Sequence, residues 1–417
     1  VLEVPEAEKR QLVLAFRRQL RERLPGTPIQ VRLEHAPDGF DSDVWADVAS
    51  LDLDAHVVCD DRPFASDAEL YAAVAGHNME RLDLRYPPFF AYVFPNLPGD
   101  RAAIYFKMHH SVADGIGFQE VLRLLSDESP RQPRRTAEVT LPSADDWRAL
   151  AERRFAAEAA ARSAQSAARK AALAALEAFK GDRAVTPTLR LSGPTSAQRA
   201  YATLSLPLDR FKAAAKRLDA TINDLFLACV SQALRDHLIA RDDLPATPLV
   251  VNSARSYRRS EHGAFGNRIV ALHPHLATHI TDPLGRLRAI QASMAAEMRR
   301  TAYDEALLDA LEKPFGARDR RATFAERTAG GTRVLPGNLT VSNVPGPGGD
   351  RLFMGFRQLH NFPVPIIGSG RFLNVTSRRS GANLDMGVIT DAAKISNAAP
   401  LACAIEAAYA EYASSVA

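Results

Sequence analysis

The sequence predicts an α/β protein made of two sheet-and-helix halves joined by a helical connection. Three observations carry that prediction. The chain has 417 residues, more than one ordinary core holds, so two domains are expected. Strand-like and helix-like segments alternate in both halves, the pattern of layered α/β folds. Between the halves lie a Pro-rich break from Pro130 to Pro142, an Ala-rich stretch, and a Pro-, Ser- and Thr-rich run from Thr186 to Ser196. The expected boundaries are 1–125 for the first half, 126–199 for a helical crossover linker and 200–417 for the second half.

Taken in order, residues 5–23 read as a charged amphipathic helix, followed by a Pro-rich turn and a short strand at Ile29–Leu33. Asp67 to Leu82 has helical periodicity. Phe89–Phe94 and residues 102–109 read as strands, and Gly117 to Leu125 as a helix behind the second of them. The Ala-rich residues 144–180 fit either a solvent-exposed crossover or a helix lying on a membrane surface. Their apolar face is mostly Ala rather than Leu, Phe or Trp, which favours the crossover. In the second half, 200–206 reads as a strand, 208–218 and Asn223–Ile239 as helices, and Leu249–Val251 as a buried strand. A helix over Pro283–Arg300, strands at 338–342, 371–377 and 384–389, and a closing helix near 398–415 complete the pattern. No short-period repeat is visible.

Composition narrows the function. Hydrophobic residues make up 46% and charged residues 24% of the chain, so it should be globular throughout. A net charge of +3 gives no case for nucleic acid, although local basic clusters suit an anionic membrane surface or a phosphorylated ligand. Cys59, Cys229 and Cys403 lie far apart without zinc spacing, and read as reduced, mostly buried thiols of a cytoplasmic protein. No apolar run reaches the roughly 18–20 residues that a transmembrane helix needs. The opening Val1-Leu2-Glu3-Val4-Pro5 has neither Met nor a signal-peptide pattern, and predicts a trimmed start with early elements missing.

The chemistry concentrates at His109-His110-Ser111-Val112-Ala113-Asp114-Gly115, after the apolar run Ala102–Met108. An imidazole base beside a carboxylate at a strand end suits direct acyl transfer, in which a base removes the acceptor's proton as it attacks a thioester. Extended backbone sends successive side chains to opposite faces, so a strand running through both histidines would leave only one facing a reactant. Asp114 is expected to fix the loop, with Gly115 allowing a tight turn. No third ligand stands at metal-binding spacing from the histidines, and there is no G-x-S-x-G elbow for a serine nucleophile.

His109-His110-x-x-x-Asp114-Gly115 resembles the HHxxxDG signature of the coenzyme A-dependent acyltransferases. That superfamily includes chloramphenicol acetyltransferase, peptide-synthetase condensation domains and the bacterial wax ester synthase/diacylglycerol acyltransferases. Four further segments resemble the last family: Ser342-Asn343-Val344-Pro345-Gly346-Pro347; Thr221-Ile222-Asn223-Asp224; Ser253-Ala254-Arg255 followed by Gly266-Asn267; and the run Phe362-Pro363, Leu373-Asn374-Val375, Leu384-Asp385-Met386-Gly387. The resemblance runs from about Trp45 to the C-terminus. Where the family has Pro-Leu-Trp before the histidine strand, this chain has Pro87-Pro88-Phe89. The segment around Thr221 also has the form of a helix N-cap followed by an acid.

The resemblance implies two chloramphenicol-acetyltransferase-like domains with the active site at their interface. It implies acyl-CoA as donor substrate, no cofactor, no metal, and a long-chain alcohol or diacylglycerol as acceptor. His110 would act as base with His109 and Asp114 supporting it. Arg255 is the expected ion-pair partner of Asp114, and Asn343 a candidate oxyanion donor with backbone N–H groups. Arg255, Arg258, Arg259 and Arg268 are candidates for the CoA phosphates. The apolar substrates imply peripheral contact with a membrane, at its inner face, or with a lipid droplet. A secondary-metabolism acyltransferase or condensation-type enzyme, using a carrier-protein thioester or unusual acceptor, is the alternative. A non-enzymatic lipid- or partner-binding member is a third reading.

Overall fold

The computed structural model describes residues 1–25, 27–35, 43–129, 143–153, 185–301, 337–346, 349–368 and 370–415, with Ala156 and Ala174 besides. Its first half contains β1 (Leu2–Glu3), α1 (Leu12–Arg23), β2 (Val31–Glu34), β3 (Val44–Asp47), α2 (Leu53–His56), β4 (Val57–Cys59), α3 (Asp67–Met79), β5 (Phe89–Leu97), β6 (Arg101–Met108) and α4 (Gly115–Leu125). Four of these strands form one sheet in the order β1-β6-β5-β4. Residues 144–153 are helical, and the rest of the Ala-rich stretch predicted as a helix falls almost wholly outside the described residues.

The second half comprises β7 (Arg199–Pro207), α5 (Leu208–Arg217), α6 (Ile222–Ile239), β8 (Val251–Ser256), β9 (Ile269–Leu272), α7 (Pro283–Arg300), β10 (Leu339–Val344), β11 (Leu352–Phe353), β12 (Phe356–Arg357), β13 (Leu373–Ser380), β14 (Asn383–Asp391) and α8 (Ala399–Ser414). Its main sheet has six strands in the order β7-β14-β13-β10-β8-β9.

Local chemistry sets the helix starts. Ser66, Asp114, Thr221 and Asp282 each accept backbone N–H bonds at the N-termini of α3, α4, α6 and α7, satisfying donors the helix itself cannot. Asp282 is followed by Pro283, which has no N–H to satisfy at the first turn.

Strand alternation then divides the six-stranded sheet into two faces. Leu339, Val341, Leu373, Val375, Leu384, Met386 and Val388 join the helices α5, α6 and α8 in one large apolar core. The opposite face turns toward the first half. There α3 packs on β7, and the Thr203 hydroxyl donates to the Tyr71 hydroxyl at 2.6 Å. The core around α3 and β5 includes Tyr201 and Ile389 of the second half.

Several sequence expectations are corrected. The buried strand placed at Leu249–Val251 begins at Val251 and continues to Ser256. A short strand at Leu2–Glu3, not singled out in the sequence, pairs antiparallel with β6. Cys229 is buried, but Cys59 and Cys403 are exposed, because they sit on the outer faces of β4 and α8. Among the described residues no helix is long and apolar enough to cross a membrane.

Candidate active site

The strand β6 ends at Met108, one residue before the histidines. The His109 N–H donates to Pro88 O at 2.8 Å, and the Val112 N–H returns to His109 O at 3.1 Å. This turn releases the pair from the alternation of a strand, so both histidines line the same cavity. The condition under which the two would face opposite ways, a strand running through both, is not met. His109 is half-buried, and Ser111 closes on it, its N–H donating to Nδ1 at 3.3 Å with its hydroxyl 2.6 Å away. That leaves the ring proton on Nε2. Burial first, and then the neighbouring His110, lower the His109 pKa below its usual 6.5. His110 is exposed to the cavity, and its backbone carbonyl accepts from Asn267 Nδ2 at 2.8 Å.

After the histidines the loop is clamped to the second half. Gly266 N–H donates to Val112 O at 2.8 Å and Asp114 N–H to Gly266 O at 3.3 Å. Asp114 divides its carboxylate between two tasks. Oδ1 caps α4, accepting from Ile116 N at 3.1 Å and Gly117 N at 3.0 Å. Oδ2 accepts from Arg258 Nη2 at 2.8 Å and Arg268 N at 3.0 Å. Burial opposes the charge on Asp114, but the bonds from Gly117, Arg268 and Arg258 outweigh it and hold the pKa below 3.8. Both partners of the ion pair are nearly inaccessible, at 8% exposure for Arg258 and 3% for Asp114.

The partner is thus Arg258 and not Arg255. Asn252, Ala254 and Ser256 of β8 face the cavity, which sends Arg255 to the other face, where Nη1 donates to Thr301 O at 3.1 Å. Arg258 lies two residues beyond the strand end and is free of that alternation. Its guanidinium also donates to the carbonyls of Gly263, Phe265 and Gly266 at 2.6–2.9 Å. Its charge is therefore committed to the loop, which removes it from the candidates for CoA phosphates.

The glycines are also reassigned. Gly115 opens α4 and is not among the residues with positive φ, so it makes no left-handed turn. A Cβ there would lie 3.1 Å from the Val344 side chain. Gly117 is tighter still: a Cβ would come within 2.6 Å of the Ala113 Cβ and 2.8 Å of the Ala264 carbonyl. Gly117 carried no separate sequence signal.

Asn343 lines the cavity at the end of β10, its Oδ1 accepting from Ser377 Oγ at 3.1 Å. Asn223 and Asp224 do not line it. Asp224 Oδ2 accepts from Thr221 N at 3.0 Å and Thr221 Oγ1 at 2.7 Å, while Asp224 N donates back to that hydroxyl at 3.1 Å. This closed capping box joins Thr221 and Asp224 and does not involve Asn223. No group of three His, Cys, Asp or Glu among the described residues is arranged to hold a metal ion.

The cavity itself lies between the halves and has a volume of about 910 Å³, within the range of small-molecule sites. Both halves line it with apolar and polar groups: Ile104, Phe106 and Met108 with Glu80 and Lys107 on the first, and Phe362, Val364 and Ile366 with Thr340, Ser342 and Thr376 on the second.

Comparison with known proteins gives a consistent picture. Residues 1–226 match the model of the wax ester synthase/diacylglycerol acyltransferase catalytic domain, and residues 265–413 that of the WS/DGAT C-terminal domain. A Mycobacterium tuberculosis (strain H37Rv) protein provisionally named a diacylglycerol O-acyltransferase is 31% identical over 384 residues, covering 82% of this chain and 72% of the relative. The O-acyltransferase WSD of Acinetobacter baylyi is 27% identical over 379 residues, covering 83% and 78%. Among solved structures, the wax ester synthase/diacylglycerol acyltransferase of Marinobacter aquaeolei VT8 superposes with a TM-score of 0.69 at 22% identity, over 100% of this chain and 93% of that one. The first condensation domain of the CDA synthetase gives 0.56 at 19% identity, over 99% and 88%.

Proposed function

The chain belongs to the wax ester synthase/diacylglycerol acyltransferase family, and on that premise we propose that it moves a fatty acyl group from acyl-CoA to a long-chain alcohol or diacylglycerol, with His110 as general base. The observation that carries this reading is the histidine loop, exposed to an interdomain cavity and pinned there by the buried Asp114–Arg258 pair. A base must be held within hydrogen-bond reach of the proton it takes, and clamping from both halves supplies that positioning.

In this mechanism His110 Nε2 takes the proton of the acceptor hydroxyl as its oxygen attacks the thioester carbonyl carbon. A tetrahedral intermediate forms, its oxyanion met by backbone N–H groups or by Asn343. Collapse breaks the C–S bond, and the His110 imidazolium returns its proton to the CoA thiolate. The ester leaves with its acyl group never attached to the protein. His109 supports the loop through Ser111, and Asp114 sets its geometry without carrying a proton. No cofactor enters the reaction. Apolar lining groups such as Ile104, Phe106, Phe362 and Ile366 suit fatty chains, which would be drawn from a membrane or lipid-droplet surface.

The test is thiol release from palmitoyl-CoA with hexadecanol or dipalmitoylglycerol, for wild type and His110→Ala. We expect acceptor-dependent release, an ester product on extraction, and a loss of about 10²–10⁴-fold in kcat in the variant. Full activity in His110→Ala would remove the base and the mechanism with it.

A further inference from the structure

The cavity carries a third imidazole, away from the histidine loop. His360 lines it, on the segment that crosses the face of the second-half sheet. That segment is tied down at several points. Asn361 N–H donates to Asp385 Oδ2 at 2.6 Å, the Tyr201 hydroxyl to Pro363 O at 2.8 Å, and Asn374 Nδ2 to Ile366 O at 2.7 Å. A Cβ on Gly387 would collide with Pro363 O, so the close approach of segment and sheet needs glycine there.

The His360 ring is oriented from behind. Its Nδ1 stands 3.1 Å from Oδ1 of Asp385, a carboxylate with no exposed surface, and the ring stacks on Phe362 with centroids 4.8 Å apart. An ionised carboxylate only accepts, so the proton between them is on Nδ1 and the lone pair is on Nε2. Asp385 is itself fixed: it stands across the strand pair from Arg378 and accepts from Ser205 Oγ at 2.7 Å. Among the described residues no group bonds His360 Nε2, and that atom is open rather than enclosed, on a side chain that keeps 35% exposure. The ring therefore offers the cavity a hydrogen-bond acceptor with its direction set by the protein.

Two routes through the fold measure how far this acceptor lies from the reacting loop. Val344 abuts Gly115, Arg378 pairs with Val344, and Asp385 pairs with Arg378. Asp385 is thus two strand spacings, about 10 Å, from the loop. On the first half, His360 N–H donates to Val1 O at 3.3 Å, and the adjoining Leu2 pairs with Ala102. Ala102 is at the opposite end of β6 from the histidines, a rise of about 20 Å. A lipid reacting at the loop would meet His360 partway along its chain and not at its reacting end.

We infer that His360 Nε2 is a specificity-determining acceptor for a hydroxyl carried partway along a lipid chain, so that mid-chain hydroxylated lipids are preferred over unsubstituted ones. As a statement about turnover this rests on the acyltransferase reading above. The hydroxyl can belong to the acyl chain of the donor or to the chain of the acceptor alcohol; the chemistry recognised is the same. A ketone at that position brings no proton, and Nδ1–H is committed to Asp385, so a ketone gains nothing there.

The test has a binding arm and a turnover arm. In the first, 10-hydroxyoctadecanoate, 10-oxooctadecanoate and octadecanoate are titrated calorimetrically into wild type, His360→Phe and His360→Gln, below the concentrations at which the acids form micelles. Wild type should bind the hydroxy acid about threefold to tenfold more tightly than either of the others, as expected for one neutral hydrogen bond. His360→Phe keeps a ring to stack on Phe362 and should erase the preference. His360→Gln, whose amide can donate to Asp385 and accept from a hydroxyl, should keep part of it. Equal binding of the hydroxy and oxo acids by wild type overturns the proposal without any variant having to fold. A preference that survives in folded His360→Phe overturns it as well.

In the turnover arm, two kcat/KM ratios are compared: 10-hydroxyoctadecanoyl-CoA to octadecanoyl-CoA with hexadecanol as acceptor, and octadecane-1,10-diol to octadecan-1-ol with palmitoyl-CoA as donor. Loss of the first preference in His360→Phe assigns the hydroxyl to the acyl chain, and loss of the second to the acceptor. An equal fall on all four substrates reduces His360 to a packing residue and overturns the proposal. His360-dependent binding of the hydroxy acid without any acyl transfer would keep the subsite and refute the proposed function. Acyl transfer that ignores the hydroxyl in both ratios would keep the function and refute the subsite.

Discussion

Asp114 and Asp224 are both buried acids in the opening turn of a helix, and each accepts backbone N–H bonds there. Asp224 spends its carboxylate on Thr221, three residues away. Asp114 spends one oxygen on its own helix and the other on Arg258, 144 residues away in the other half of the molecule. The first arrangement stabilises a helix; the second fixes how two halves meet around a reacting loop. Cap chemistry alone does not separate the two, since both satisfy the same orphan donors. The difference lies in the remote partner.

The largest test of that difference is Arg258→Met, which strands the Asp114 charge in a site that is 3% exposed. Breaking a buried pair from one side costs about 3–5 kcal/mol. Arg258 also bonds three carbonyls of the segment that pairs with the loop, so the histidines should lose their position as well. We expect an unfolding free energy lower by that amount in urea titration, with a drop in kcat of about 10²-fold for the folded fraction. A variant that is destabilised yet fully active would show that the clamp does not position the base.

The same contrast has a pH signature. The Asp114 pKa is held below its ordinary 3.8 in the folded protein. A depressed acid contributes stability that is complete above the unfolded value and is lost as pH falls through the folded value. Wild type should therefore exceed Asp114→Asn in stability by a constant margin at neutral pH, narrowing only below about pH 4. Denaturant midpoints measured between about pH 7 and pH 2.5 give the curve. A margin that does not change across that window would mean the contribution is packing and not charge.

Asp224→Asn and Thr221→Ala should behave differently. Each opens the local box and should cost about 0.5–2 kcal/mol, the usual range for a lost cap. Neither residue lines the cavity, so kcat and KM should stay within about twofold of wild type. A selective loss of activity in either would return the Asn223-Asp224 pair to the functional residues.

The same physics explains how far the sequence could be read. Long periodic segments such as Asn223–Ile239 and Pro283–Arg300 were legible because several turns of amphipathic spacing accumulate a signal. The strands at Leu2–Glu3 and Val57–Cys59 and the helix Leu53–His56 span two to four residues, too few to show a period. The loop from His109 to Gly115 was legible as chemistry, since adjacent imidazoles and an Asp-Gly pair are rare in combination. Its geometry was not, because the strand ends at Met108, where Pro88 opposite His109 has no N–H to return and the chain turns through the Val112-to-His109 bond. The end of β13 is hard to read in sequence for a related reason. Ser377-Arg378-Arg379-Ser380 has the composition of a surface loop, yet it continues a strand whose Arg378 is buried in the cavity.

Arg255 supplies the smallest expected effect and the cleanest check on the choice of partner. It and Arg258 are three residues apart, and sequence resemblance favours the former as the ion-pair partner of Asp114. The strand β8 decides otherwise, since its alternation aims Ala254 and Ser256 at the cavity and Arg255 toward the end of α7. There its guanidinium donates to the Thr301 carbonyl, a bond worth about 0.5–1.5 kcal/mol. Arg255→Ala should lower stability by no more than that and leave the acid-side stability curve parallel to wild type, because the Asp114 charge keeps its partner. Activity should remain within about twofold. A steep activity loss in Arg255→Ala, with Arg258→Met unaffected, would exchange the two arginines and require the loop to be held by the strand residue after all.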